Sequence, residues 1–189
     1  MITNVWHGRF GNSLFEIGGT AGIAVKNKLP YGFSNWKYEN YFKNKLPVAN
    51  NVRYAVIKEK NLHYNNYVIP EGNYQLDGYW QSWKYFEHCK PLIKQLFEFN
   101  DEVQQAVEKK YGAIFENNSN TIAIHVRRGD YTKKVDYYHS LSMQYYYSAM
   151  ETFGRKYRYL IFGDEPKWNK QQDWLGYDVT FIDGNTEGV

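Results

Sequence analysis

Thr121-Ile122-Ala123-Ile124-His125-Val126-Arg127-Arg128-Gly129-Asp130-Tyr131 is the stretch on which the fold turns. Its first six residues form a β-branched, apolar run of the kind that makes a buried strand. The strand runs straight into Arg-Arg-Gly-Asp, where Gly129 allows a tight turn. Working outward, Ser142 to about Phe153 reads as a helix. Tyr159-Leu160-Ile161-Phe162 reads as a buried strand ending at Gly163-Asp164. Pro166 opens another helix, and Val179-Thr180-Phe181-Ile182 is the next strand. Strands alternating with helices in this order predict an α/β unit with a parallel sheet and right-handed crossovers.

Upstream, Ile2 to Trp6 is a short apolar strand candidate. A glycine-bearing turn, Gly8-Arg9-Phe10-Gly11-Asn12, leads from it into a helix expected from Ser13 to about Lys28. Gly18, Gly19 and Gly22 lower the propensity of that helix but permit close packing against a sheet. From Pro30 to Asn73 the signals are weak, with pieces such as Tyr54-Ala55-Val56-Ile57 lying between Asn-rich turns. Leu76 to Tyr85 is compact, apolar and aromatic. Pro91 suits the first turn of a helix carrying Leu92, Ile93, Leu96 and Phe97 on one face, and a further helix runs from Asp101 towards Lys110. Asn117-Asn118-Ser119-Asn120 is the best linker. It divides a first lobe, 1–118, from the beginning of a second, 119–189.

With 189 residues, 43% hydrophobic and 23% charged, the chain has the composition of a globular protein. No apolar run approaches the length of a membrane span, and Met1-Ile2-Thr3-Asn4 lacks signal-peptide character. A single cysteine, Cys89, excludes an internal disulfide framework, so the expected compartment is the cytoplasm, with peripheral membrane association left open. The Asn117-Asn118-Ser119 sequon then reads as a chance match. The 23 basic residues are offset by 20 acidic ones spread along the chain, so a nucleic-acid partner is not expected. Aromatic residues make up 19%, including 19 tyrosines. Such rings stack on sugars or bases, or simply fill cores; their abundance does not choose.

The chemistry concentrates at the carboxyl end of the 121–126 strand, the edge where doubly wound sheets bind ligands. Arginine's planar fork suits bidentate recognition of phosphate oxygens, and Asp130 is placed to fix one guanidinium. Two plainer readings compete, a solvated loop or an adhesive Arg128-Gly129-Asp130 tripeptide, and the latter needs an extracellular setting. The Gly8–Asn12 turn adds a weaker anion signal, a helix start with glycines that admit close approach. Its spacing is neither a dinucleotide fingerprint nor a P-loop.

Five ordered blocks resemble the α-1,2-fucosyltransferases, glycosyltransferase family 11. Gly8-Arg9-Phe10-Gly11-Asn12-Ser13-Leu14-Phe15 is similar to their Gly-x-Leu-Gly-Asn-Gln-x-Phe opening. Gly78-Tyr79-Trp80-Gln81-Ser82-Trp83-Lys84-Tyr85-Phe86 is similar to Gly-Tyr-Phe-Gln-Ser-x-x-Tyr-Phe. His125-Val126-Arg127-Arg128-Gly129-Asp130-Tyr131 matches His-x-Arg-Arg-Gly-Asp-Tyr throughout. Tyr145-Tyr146 with Ala149, and Phe162-Gly163-Asp164-Glu165-Pro166-Lys167-Trp168, resemble the two blocks that follow.

The resemblance implies a GT-B-like fold, two Rossmann-like lobes with parallel sheets. It also implies inverting transfer of fucose from GDP-fucose, a donor substrate rather than a cofactor, to the 2-hydroxyl of a galactoside-containing glycan acceptor. No Asp-x-Asp occurs in the chain, consistent with a reaction that needs no metal. On the same likeness the nucleotide is held by Arg9, Asn12, His125, Arg127, Arg128 and Asp130, and Arg127 contacts the leaving diphosphate. The proton acceptor is expected in the loop after the arginines, with Asp136 and His139 as candidates, each also readable as a plain surface residue.

Ser13 and Trp80 depart mildly from the family pattern. The larger departure is that the family's later Asp-x-x-Leu-Met-Ser and Asn-Ser-Ser-Phe-Ser-Trp-Trp segments have no counterpart before Val189. The expectation is therefore an N-terminal portion, or a shortened relative, with a cut-short second lobe, little transfer of its own, and a homo-oligomer left open by an unpaired sheet edge. The alternative is a non-catalytic nucleotide- or glycan-binding module.

Overall fold

The computed structural model of the chain describes residues 1–115 and 120–183. It divides into two compact units, the first Met1–Lys110 and the second beginning at Tyr111. The expected boundary and linker at 117–120 lie largely outside the described residues, as does the Asn117 sequon.

The first unit contains β1 (Ile2–Asn4), α1 (Phe10–Lys26), β2 (Ala55–Lys58), β3 (Tyr74–Asp77) and α2 (Lys90–Leu96). A further helix, α3 (Asp101–Phe115), starts here and runs into the second unit. The three strands form a parallel sheet in the order β1-β3-β2, with Asn4 beside Leu76 and Lys58 beside Asp77. β2 is an edge strand, mostly exposed.

Helix α1 begins three residues earlier than expected, so Gly11 and Asn12 lie in its first turn rather than in a loop. Extended backbone at Arg9 precedes it, and the Ser13 N–H already donates to the Arg9 carbonyl at 3.0 Å. The glycines of α1 do admit close packing, but against the segment after β3 rather than the sheet. A β-carbon on Gly22 would lie 2.2 Å from the Tyr85 carbonyl oxygen, and one on Gly19 would lie 2.7 Å from the Trp80 β-carbon. Trp80 is completely buried there. A second cluster joins Phe33, Trp36 and Phe42 to Ile17 and Leu96, with Trp6 and Phe10 packed against it. Many aromatic residues are thus spent on the core: Trp36 stacks with Phe42 at 5.1 Å and with Trp6 at 6.1 Å between ring centres.

The second unit follows the expected alternation. β4 (Thr121–Val126), α4 (Met143–Phe153), β5 (Arg158–Gly163), α5 (Pro166–Gln171) and β6 (Val179–Phe181) build a parallel sheet in the order β4-β5-β6. The core contains Val126, Tyr146, Met150, Tyr159, Ile161 and Trp174. The Tyr159 hydroxyl lies within hydrogen-bond distance of the Met150 and Gly154 carbonyls, which anchors the end of α4. Val126 pairs with Gly163, so β4 and β5 release their chains side by side at one edge of the sheet.

Candidate functional site

That shared edge carries Arg127 and Arg128 from β4 and Asp164 and Glu165 from β5. Two glycines permit the approach: a β-carbon on Gly163 would lie 2.7 Å from the Val126 carbonyl oxygen, and one on Gly129 would meet the Asp164 carboxylate. Asp164 bridges the two chains. Its Oδ1 accepts the Arg128 backbone N–H at 2.9 Å, and its Oδ2 lies 2.9 Å from Arg127 Nη1. The other arm of the Arg127 fork, Nη2, donates to Asp130 Oδ1, so one guanidinium spans two carboxylates. Arg128 turns the other way. Its Nε donates to Glu165 Oε2 at 3.0 Å, and its guanidinium carbon sits 3.8 Å from the centre of the Trp168 ring. That distance is a close cation–π contact.

The backbone after the arginines closes on itself. The Arg128 carbonyl accepts N–H groups from Tyr131 and Thr132, and the Thr132 hydroxyl donates to the Gly129 carbonyl at 2.9 Å. Tyr131 lies beneath the Arg127 guanidinium, 5.1 Å away, and stacks flat on Tyr138 at 4.2 Å. Both arginine side chains remain partly exposed, 29% and 23%. The result is two oriented, pre-ordered forks at the carboxyl edge of a parallel sheet, an arrangement suited to gripping an oxyanion from one side. Burial pushes the phenol of Tyr146, on the adjoining helix α4, above its usual range, so it stays neutral behind the site.

The model of "Glycosyl transferase family 11" matches residues 24–185. The chain belongs to that family. It is 27% identical over 200 residues to galactoside alpha-(1,2)-fucosyltransferase 2 of Pongo pygmaeus, covering 96% of this chain and 58% of that protein. It is 26% identical over 129 residues to alpha-1,2-colitosyltransferase of Escherichia coli, covering 63% of this chain and 43% of that protein. The chain therefore spans about half the length of the curated relatives it matches. Among solved structures it resembles fucosyltransferase NodZ from Bradyrhizobium, with a TM-score of 0.59, 11% identity, and coverage of 97% of this chain and 78% of that one. The NodZ alpha-1,6-fucosyltransferase soaked with GDP-fucose gives a TM-score of 0.56 at 10% identity. The fold is accordingly α/β and GT-B-like, built on parallel sheets.

Within this family 11 chain, the expected residues fall into separate groups. Arg127, Arg128 and Asp130 form the cluster just described. His125 lies one pleat back on β4, exposed, and alternates with Ile124 and Val126, which pack on the core. Asp136 and His139 are exposed in the segment between Lys133 and α4, and neither joins the arginine network. Arg9 and Asn12 belong to the first unit: Arg9 is the exposed residue that precedes α1, and the Asn12 side-chain oxygen accepts the Gln81 amide at 2.8 Å.

Sequence reasoning named no site role for Asp164, Glu165 or Trp168. The signal was a Gly-Asp pair ending a strand parallel to the arginine strand, which puts both loops at one edge. Among the described residues no group of three or more His, Cys, Asp or Glu side chains is placed to hold a metal ion. No helix among them is long and apolar enough to cross a membrane.

Proposed function

We propose that this family 11 chain carries the nucleotide-sugar machinery of a fucosyltransferase. Arg127 grips the diphosphate of GDP-fucose while fucose passes, with inversion, to the 2-hydroxyl of a galactoside. The observation that carries the reading is the Arg127–Asp164–Arg128 arrangement at the carboxyl edge of β4 and β5. In such a transfer, negative charge grows on the departing diphosphate, and oriented guanidinium donors stabilise it as it forms. The names of the similar proteins support fucosyl transfer as the reaction class, and two oriented guanidinium forks supply the donors that would meet the diphosphate.

The test is calorimetric. The protein should bind GDP or GDP-fucose more tightly than UDP- or CMP-sugars, and equal or tighter UDP binding would overturn the donor assignment. In the full-length protein, fucosyl transfer to lactose should survive excess chelator and yield the inverted anomer. The similarity to a colitosyltransferase supports a second reading, with colitose as the transferred sugar. Competition between the two donors at equal concentration decides between them. GDP binding without turnover of either donor would favour a non-catalytic binding module.

A further inference from the structure

The first unit carries a second group of acid–base side chains, at the carboxyl edge of its own sheet, for which the nucleotide reading has no use. His7 follows β1 and Asp77 ends β3. The register that sets Asn4 beside Leu76 brings them together, with His7 Nε2 2.9 Å from Asp77 Oδ1. Their side chains are 32% and 30% exposed, so the pair is open to solutes. From the other side, the His7 backbone N–H donates to Glu16 Oε1 at 3.0 Å. Glu16 lies on α1 with no exposed surface, and its Oε2 is buried without a hydrogen-bond partner.

The Tyr79 ring stands beside the imidazole, 5.5 Å between centres, and is partly exposed. Its position is set by Glu59, whose Oε2 accepts the backbone N–H groups of Tyr79 and Trp80 at 2.8 and 3.1 Å.

This constellation has a definite chemistry. With Asp77 ionised, the histidine proton sits on Nε2, and Nδ1 keeps its lone pair. Among the described residues Nδ1 makes no hydrogen bond. An exposed tyrosine ring next to fixed polar groups suits a pyranose, whose apolar face stacks while its hydroxyls hydrogen-bond. The titratable groups facing His7 are Asp77 from β3, Glu16 from α1 and Tyr79 from the turn after β3.

We propose that His7, oriented by Asp77 and flanked by Tyr79, holds the acceptor hydroxyl of a galactoside and takes its proton. The chemistry rests on the fucosyl-transfer reading. The acceptor oxygen bonds to the anomeric carbon of the donor. The bond from that carbon to the phosphate oxygen breaks, and its electron pair leaves with GDP. The hydroxyl proton moves to His7 Nδ1, and the Asp77 carboxylate stabilises the imidazolium until it returns the proton to water. His7 is the catalytic residue in this step, and Asp77 is a positioning residue.

The experiment uses the full-length protein, with lactose as probe. Titrating lactose while the His7 imidazole is followed by NMR should move that signal saturably. His7→Gln should lower kcat for transfer by about 10²–10³-fold, the usual scale for a lost general base. Its GDP affinity should stay at the wild-type value, which also reports that the variant is folded. Asp77→Asn should lower kcat while leaving KM for lactose and the affinity for GDP at the wild-type values, a split that a merely structural role would not produce. The proposal is overturned if lactose leaves the His7 imidazole unmoved, or if His7→Gln transfers at the wild-type rate. Lactose moving His7 in a protein that transfers nothing from GDP-fucose would leave the carbohydrate site standing and remove the transfer reading.

Discussion

Asp164 leaves no room for a side chain at Gly129. An added β-carbon would stand 2.6 Å from the Asp164 Oδ2, the oxygen that meets Arg127. Gly129 also has φ of +25°, a conformation that other residues adopt at a cost. Gly129→Ala should therefore displace the carboxylate that orients both arginines. The expected outcome is a loss of roughly tenfold or more in GDP affinity, with stability lowered by about 1–3 kcal/mol. Calorimetry and thermal unfolding measure the two effects, and unchanged GDP binding would separate the loop from nucleotide recognition.

Arg127→Lys keeps the charge and discards the fork. An ammonium on a flexible stem does not reproduce the planar bridge between Asp130 and Asp164. Affinity for GDP should fall by at least about tenfold, close to the effect of Arg127→Ala, since directional donors carry the recognition. Arg128→Lys should be milder. A lysine at 127 with wild-type affinity and turnover would contradict the role assigned to Arg127.

Trp168→Ala removes the surface on which the Arg128 guanidinium lies. A contact of this kind is worth about 0.5–2 kcal/mol, so affinity for GDP should drop by about two- to thirtyfold. Trp168→Phe should restore much of it. The pair of variants, compared by calorimetry, distinguishes loss of the ring from general damage to α5.

Glu16 gives a pH signature. Burial is the main cause that lifts its carboxyl from 4.5 to about 7, opposed by the hydrogen bond from the His7 backbone. The folded state thus binds this proton more tightly than the unfolded chain does. Its contribution to stability is fully present below about pH 4.5, declines as pH rises through the window to about 7, and is then level. At about 1.4 kcal/mol per unit, this amounts to roughly 3–4 kcal/mol. Urea midpoints at pH 5 and pH 8 should differ less in Glu16→Gln than in wild type. An identical pH dependence in the two proteins would show that the carboxyl does not titrate in this range.

The second unit was legible because its strands are β-branched runs set off by glycine and proline. Thr121–Val126 and the strand around Tyr159–Phe162 fall where local pattern alone puts them. β2 and β3 were not legible. Each has only four residues, too few to set a period apart from its surroundings, and β2 is exposed at the sheet edge. Pairing between residues far apart in the chain, not local preference, makes them strands.

The start of α1 was missed for the opposite reason. Gly11 and Asn12 look like a turn, but the Arg9 carbonyl already receives the first helical hydrogen bond. At the site, Arg127, Arg128 and Asp130 are contiguous in sequence and could be grouped on sight. Their partner Asp164 is 36 residues from Arg128 and meets it only through the parallel register of Val126 with Gly163. Sequence gives the arginines a direction, but not the carboxylates that hold them.

Three carboxylates hold those two arginines, so the five side chains together carry a net negative charge rather than a positive one. The two forks are thus neutralised at close range, so their grip on an incoming anion depends on contact geometry over a few ångströms, while Lys133, Lys134 and Lys167 supply the longer-range attraction of this edge. Added salt should then slow association by screening those lysines while leaving the close-range geometry of the forks intact. Simple anions such as sulfate, which bring charge without the rest of a nucleotide sugar, have no advantage over Asp130 and Asp164 in competing for the forks. A ligand at these forks must match their geometry at close range to displace a carboxylate.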